Sequence, residues 1–176
     1  FPDVVDAFLA KDVLALEDGT QVYKGLEHYM AESDESRSQV FVINYGLNDY
    51  YTGVPLTGEG INDKKSFYGA MSQGISKLKE ANPDAHIILM TPNFSSAFVN
   101  GKMINGEGAG NLRAYADMIT VVAEEQNVHV LDNFNELPID EDNWNAYIPD
   151  GTHLNEVGRF LVGERITGYV DTLGIQ

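Results

Sequence analysis

Three positions in this sequence carry side chains able to move a proton or steady a negative oxygen: Asn48, Asp150 and His153. His153 stands three residues after Asp150, in Asp150-Gly151-Thr152-His153. An imidazole with its ordinary pKa of about 6.5 accepts and returns a proton near neutrality. A carboxylate on the glycine-containing turn just before it can bond the ring's Nδ1–H and leave Nε2 facing a nucleophile. Asn48 follows Gly46 by two residues, and its carboxamide N–H can point at a developing oxyanion. These groups suit acyl transfer, which needs a nucleophile, a base, a group that orients the base and donors for the oxyanion. The other reading of Asp-Gly-Thr-His before a helix is a turn with an Asx bond and a solvated histidine.

Such groups act together only if the elements around them meet at one rim. Val40-Phe41-Val42-Ile43-Asn44 is an apolar, β-branched run, as expected of a strand buried on both faces. It leads into Tyr45-Gly46-Leu47-Asn48-Asp49, where the glycine lets the backbone turn sharply. Open α/β sheets place ligands in polar loops at the carboxyl ends of their parallel strands. Asp150 and His153 sit about a hundred residues on, at the mouth of the last helix, which starts near Asn155.

The remaining elements follow from periodicity. Residues 1–10 read as a helix with Pro2 in its first turn and Val4, Val5, Phe8 and Leu9 on one face. Val13-Leu14-Ala15-Leu16 reads as a short buried strand, followed by a Glu17-Asp18-Gly19-Thr20 loop. Leu26 to Met30 has helical character, and Ala31 to Gln39 is a polar connection. Asn62 suits the N-cap of a helix reaching Ala81, with Phe67, Met71, Ile75 and Leu78 as its buried stripe. Asn82-Pro83-Asp84 stops it. The next strands are His86–Met90 and Val128–Asp132, separated by a long loop and a helix marked by Leu112, Ala116, Ile119 and Ala123. His86 and His129 are expected to be structural. In the final helix Val162, Ile166, Val170 and Leu173 supply the inward stripe.

Alternating helices and strands imply an α/β fold, a parallel sheet with helices on both faces. Tyr50 and Tyr51 continue the Asn48 loop and are candidates to pack on a sugar or acyl group, or else to cover the sheet edge. Trp144 and Tyr147 lie near enough to His153 in sequence to wall a pocket, or to form a small loop core. Gly106-x-Gly108-x-Gly110 has the look of a phosphate cradle but follows no strand directly, lacks a lysine and includes Glu107. Ser95 and Ser96 have no G-x-S-x-G elbow around them. Asn93-Phe94-Ser95 is a formal glycosylation sequon. Asp140-Glu141-Asp142 lacks the ligand spacing of a calcium loop and reads as a solvated turn.

At 176 residues, 43% of them hydrophobic, the chain suits one domain with one core, residues 1–176. No apolar run approaches the roughly 18 residues of a membrane span. There are no cysteines, which excludes disulfides, a Cys nucleophile and thiolate metal sites. The compartment stays open: a soluble chain, cytoplasmic or secreted. The net charge of −16 argues against nucleic acid and disfavours anionic substrates and surfaces.

Gly46-x-Asn48-Asp49 and Asp150-x-x-His153, with their surroundings and their order in the chain, resemble the third and fifth blocks of the SGNH (GDSL-like) hydrolases. The resemblance implies a three-layer, flavodoxin-like sheet and a serine esterase or acylhydrolase acting on a small-molecule ester, such as an acetylated carbohydrate. It assigns the base to His153, its orienting partner to Asp150, and an oxyanion donor to Asn48. It also implies a second oxyanion donor, a backbone N–H, for which Gly19 is the candidate and Gly25 the runner-up; an ordinary turn glycine is the other reading. No metal or organic cofactor is implied. The family's first block, a Gly-Asp-Ser strand bearing the nucleophile, has no counterpart here and would precede Phe1. That strand would lie between those at Val13 and Val40. An empty slot would leave buried backbone unpaired, so either another segment fills it or the two strands pair directly. Rival expectations are a catalytically inactive binding or structural protein of the same fold, and a flavodoxin-like nucleotide binder, for which the 17–20 loop is too acidic and too short.

Overall fold

The computed structural model describes residues 1–11, 32–34, 37–99, 102–104 and 112–175. In chain order its elements are α1 (Pro2–Ala10), β1 (Val40–Asn44), α2 (Leu47–Thr52), α3 (Phe67–Ala81), β2 (His86–Met90), β3 (Phe98–Val99), β4 (Lys102–Met103), α4 (Leu112–Gln126), β5 (His129–Leu131), α5 (Asn133–Glu136) and α6 (Glu156–Thr172). The strand expected at Val13, the glycines at 19 and 25, the helical stretch at 26–30 and the Gly106–Gly110 pattern fall outside the described residues.

Side chains alternate across a strand, so a strand covered on both faces must be apolar throughout. β2 has that composition from Ile87 to Met90 and sits in the middle of a parallel sheet ordered β1-β2-β5. Ile87 and Leu89 face one way, into a core with Val5 of α1, Phe67, Met71 and Ile75 of α3, and Ile119 of α4. Ile88 and Met90 face the other way and, with Leu131 of β5, pack under Val162, Ile166 and Val170 of α6 and Leu173 just after it. The result is three layers, with helices on both faces of the sheet. The expected stripes of α3 and α6 are the residues that meet the sheet; from α4, Ile119 and Ala123 of the expected stripe join that core, with Tyr115 and Val122 beside them.

Local chemistry sets the helix ends. Asn155 caps α6: its side-chain oxygen accepts from the Gly158 N–H at 3.0 Å. The expected cap of α3 at Asn62 is corrected to Ser66, whose Oγ accepts the Gly69 N–H at 3.1 Å. The reason lies one turn earlier. Asp63 folds its own loop, its carboxylate accepting the N–H groups of Glu59 and Lys65 and its carbonyl that of Ser66, so the helix cannot begin before Ser66.

β1 departs from the expectation of burial on both faces. Ile43 is buried in the main core, but Val42 on the α6 side is 40% exposed. On that side Val40 joins the cluster of Ile88, Met90 and the α6 residues, while Val42 and Asn44 stay open to solvent. Among the described residues β1 pairs with β2 alone. The loop after β2 also holds a short antiparallel ladder, β3 with β4, that the residue pattern does not reveal.

Ile75→Ala and Ile88→Ala each empty a fully buried position on one face of the sheet. Each is expected to lower the unfolding free energy by about 2–5 kcal/mol. Phe160→Ala, at a position 64% exposed on α6, should change it by no more than about 0.5 kcal/mol. Urea denaturation of the three variants measures both effects.

Candidate functional site

The site begins where β1 ends. Gly46 has φ 115°, a conformation that L side chains rarely adopt, and a Cβ there would sit 3.5 Å from the Phe67 ring. The chain therefore turns directly on the core and enters α2. Asp49 holds that entry: its carboxylate accepts the Gly46 N–H at 3.1 Å, reaching back across the first turn. Asn48 stands between these two residues with its side chain exposed.

A second turn lies across from it. Ile148, fully buried, anchors the approach, and its carbonyl accepts the Gly151 N–H at 2.8 Å. Gly151 has φ 81°, and a Cβ there would lie 2.6 Å from Ser96 Oγ, so both conformation and space require glycine. Asp150 Oδ1 accepts the N–H groups of Thr152 and His153, at 2.9 and 2.7 Å. Asp150 Oδ2 lies 2.7 Å from His153 Nδ1. With the carboxylate accepting, Nδ1 carries the proton and Nε2 presents a lone pair. The backbone N–H of His153, then its ring, then the Thr152 N–H hold the Asp150 carboxyl well below the usual carboxylate range. Both side chains are open to solvent, 83% for His153 and 56% for Asp150, so hydrogen bonding rather than burial keeps the carboxylate charged.

Asn48 and His153 line one open cleft of about 840 Å³. At the carboxyl rim of the sheet it is lined by Asn44, the last residue of β1, with Tyr45 just after it, and by Pro92 and Asn93 after β2. The hydroxyl-bearing residues on the cleft are Tyr45, Thr52 and Thr152. Thr52 donates to the Asn48 carbonyl at 2.9 Å, and Thr152 pairs with Tyr51 at 3.1 Å. Among the described residues no three His, Cys, Asp or Glu side chains gather as a metal's ligand set.

Tyr50, Tyr51 and Trp144, each open to a pocket or a packing role in the sequence, are not among the residues lining the cleft. Tyr50 packs against the main core, its ring edge-on to Tyr115 at 5.8 Å. Tyr51 directs its hydroxyl to Thr152 and Ser95. Trp144 joins Phe94, Leu137, Ile139 and Ile148 in a second small core beneath the histidine turn, so its ring supports the site from behind. Gly19 lies outside the described residues. His86 and His129 contact each other, with nitrogens 3.2 Å apart, at the start of β2 and β5, the rim opposite the cleft. Asp140 caps its own turn, accepting from the N–H groups of Asp142 and Asn143. Pro92 and Asn93 join the cleft without having been expected there. Their position directly after a parallel strand is the signal that marks them.

Fold and site together define a class: a three-layer α/β protein with its polar side chains gathered at the carboxyl rim of a parallel sheet. The chain belongs to the GDSL-like lipase/acylhydrolase family, whose model matches residues 13–159. Solved structures share the fold at low identity. A Lactobacillus plantarum protein is 19% identical with a TM-score of 0.69, over 82% of this chain and 71% of its own. The acetyl xylan esterase AlAXEase is 21% identical with a TM-score of 0.56, over 75% of this chain and 67% of its own. A peptidoglycan O-acetylesterase is 17% identical with a TM-score of 0.59, over 77% of this chain and 37% of its own. No curated protein matches the chain.

A folded-state pKa below the unfolded value means that the Asp150 bonds contribute stability above the ordinary Asp pKa of about 3.9. That contribution is lost as pH falls through the depressed value. Carboxyl-carbon NMR should therefore show Asp150 still ionised near pH 3, where ordinary aspartates are mostly protonated. The amide protons of Thr152 and His153 should keep their neutral-pH shifts over the same range.

Proposed function

We propose that this chain carries the base, its orienting carboxylate and an oxyanion donor of a serine esterase acting on carboxylic esters. In this reading the nucleophilic serine is contributed from outside these 176 residues. The observation that supports this most is the pairing of Asp150 with His153 at 2.7 Å, beside a cleft that Asn48 also lines.

The chemistry then follows from the groups present. His153 Nε2 takes the proton of the serine hydroxyl as its oxygen attacks the acyl carbon. The tetrahedral oxyanion accepts from the Asn48 side-chain N–H and, in this reading, from the Gly19 backbone N–H. Asp150 stabilises the imidazolium formed at His153 without taking the proton itself. The imidazolium returns the proton to the departing alcohol. Water then attacks the acyl-enzyme by the same route, releasing the acid and restoring the serine. A neutral acyl group and a neutral alcohol suit a chain of net charge −16, which repels anions at long range. The O-acetylated polysaccharides named for two structural neighbours make acetylated carbohydrate the first substrate class to try.

The test is hydrolysis of p-nitrophenyl acetate and fluorophosphonate labelling, both on the natural full-length product. His153→Ala should lower kcat by at least about a thousandfold, and Asn48→Ala by about a hundred- to a thousandfold, with both variants folded by circular dichroism. Labelling that persists unchanged in His153→Ala would sink the triad. A full-length product that neither labels nor turns over is a non-catalytic binding or structural protein of this fold.

A further inference from the structure

Ser95, in the loop leaving β2, is fully buried at 0% exposure. Its Oγ lies 2.7 Å from the Gly151 carbonyl oxygen, 3.2 Å from the Ala97 amide nitrogen and 3.3 Å from the Tyr51 hydroxyl. The Tyr51 hydroxyl in turn lies 3.1 Å from Thr152 Oγ1. Proton counting fixes the direction of these bonds. A carbonyl oxygen only accepts, so the single hydroxyl proton of Ser95 goes to Gly151. Toward Tyr51, Ser95 therefore accepts, which commits the Tyr51 proton to it. Tyr51 must then accept from Thr152. The Ala97 N–H, itself 3.2 Å from the Gly151 carbonyl, closes the inner side. The result is a one-way relay from Thr152 through Tyr51 and Ser95 to Gly151. It begins and ends on the two residues between Asp150 and His153.

Tyr51 belongs to α2, the helix whose first turn carries Asn48. Its hydroxyl thus ties the element bearing the oxyanion donor to the turn bearing the base. We propose that Tyr51 and Ser95 are positioning residues: their relay holds the Asp150–His153 turn in register with the Asn48 helix. Its catalytic consequence rests on the esterase reading given above; the relay itself is a property of the fold. Neither hydroxyl touches the cleft, and each acts through the turn it braces. Misplacing a reacting group by about 1 Å can cost about a hundredfold in rate, so bracing at this distance matters even without contact to substrate.

Tyr51→Phe keeps the ring and removes only the hydroxyl; Ser95→Ala breaks the same relay from its buried end. Two readouts on the natural full-length product decide the matter. In p-nitrophenyl acetate hydrolysis, Tyr51→Phe should lower kcat roughly ten- to a hundredfold while KM stays within about twofold. By NMR-detected hydrogen exchange, the backbone N–H groups of Thr152 and His153, held by Asp150 Oδ1 in the wild type, should exchange at least about tenfold faster in Tyr51→Phe. Ser95→Ala should repeat both effects; if it fails to fold, Tyr51→Phe alone carries the test. Unchanged exchange at the Thr152 and His153 amides in a folded Tyr51→Phe variant overturns the proposal, as does an unchanged kcat in an active enzyme. If the wild type hydrolyses no ester, the esterase reading fails by itself, and the NMR readout still decides the relay.

Discussion

The Asp150 carboxylate is the constraint on which this site depends. It accepts two backbone N–H groups with one oxygen and the His153 ring with the other. The first pair shapes the turn, and the second fixes which ring nitrogen carries hydrogen. One side chain thereby sets backbone and tautomer together. Because both side chains stand in solvent, directed bonds must supply the order that burial supplies elsewhere. Gly151 makes the arrangement possible, since L side chains rarely adopt its backbone angle and a Cβ there would press on Ser96.

The opposite half of the cleft is ordered by other means. Gly46 turns against Phe67, Tyr115 and Ile119, all in the main core, so the position of α2 follows from the packing of α3 and α4. Asp49 reinforces it with a single bond to Gly46. Parallel register does the rest: Asn44 lies opposite Met90, so the loops leaving β1 and β2 emerge side by side at one rim.

Much of this was written locally in the sequence. β2 declares itself by five residues between a helix stop and a polar loop, and the α3 stripe by its spacing. Asp150 and His153 are neighbours in sequence, so their pairing needs no knowledge of the fold. Asn48 is found through the rule that strand ends hold ligands. What stays hidden depends on distant partners. Whether Trp144 faces the cleft or a core under it is decided by Phe94 and Leu137, which no nearby residue announces. Tyr51 looks like a pocket aromatic until Thr152, a hundred and one residues away, is seen to bond its hydroxyl. Ser66 displaces Asn62 as a cap because Asp63 folds the loop between them. Val42 reads as a core residue because its exposure reflects where α6 lies, not its own neighbours.

Two of the three cores lie under the cleft, and one more consequence follows from them. The Asn48 helix rests on the larger core between sheet and helices, whereas the His153 turn rests on the small cluster around Phe94, Leu137, Ile139 and Ile148. Each half of the cleft therefore has its own foundation. Residues 133–149 could be lengthened, shortened or rewritten in descendants of this chain, reshaping the ground under the imidazole, while the carboxamide stays where the sheet put it. Divergence in what such proteins recognise would then accumulate on one bank of the cleft and leave the other nearly unchanged.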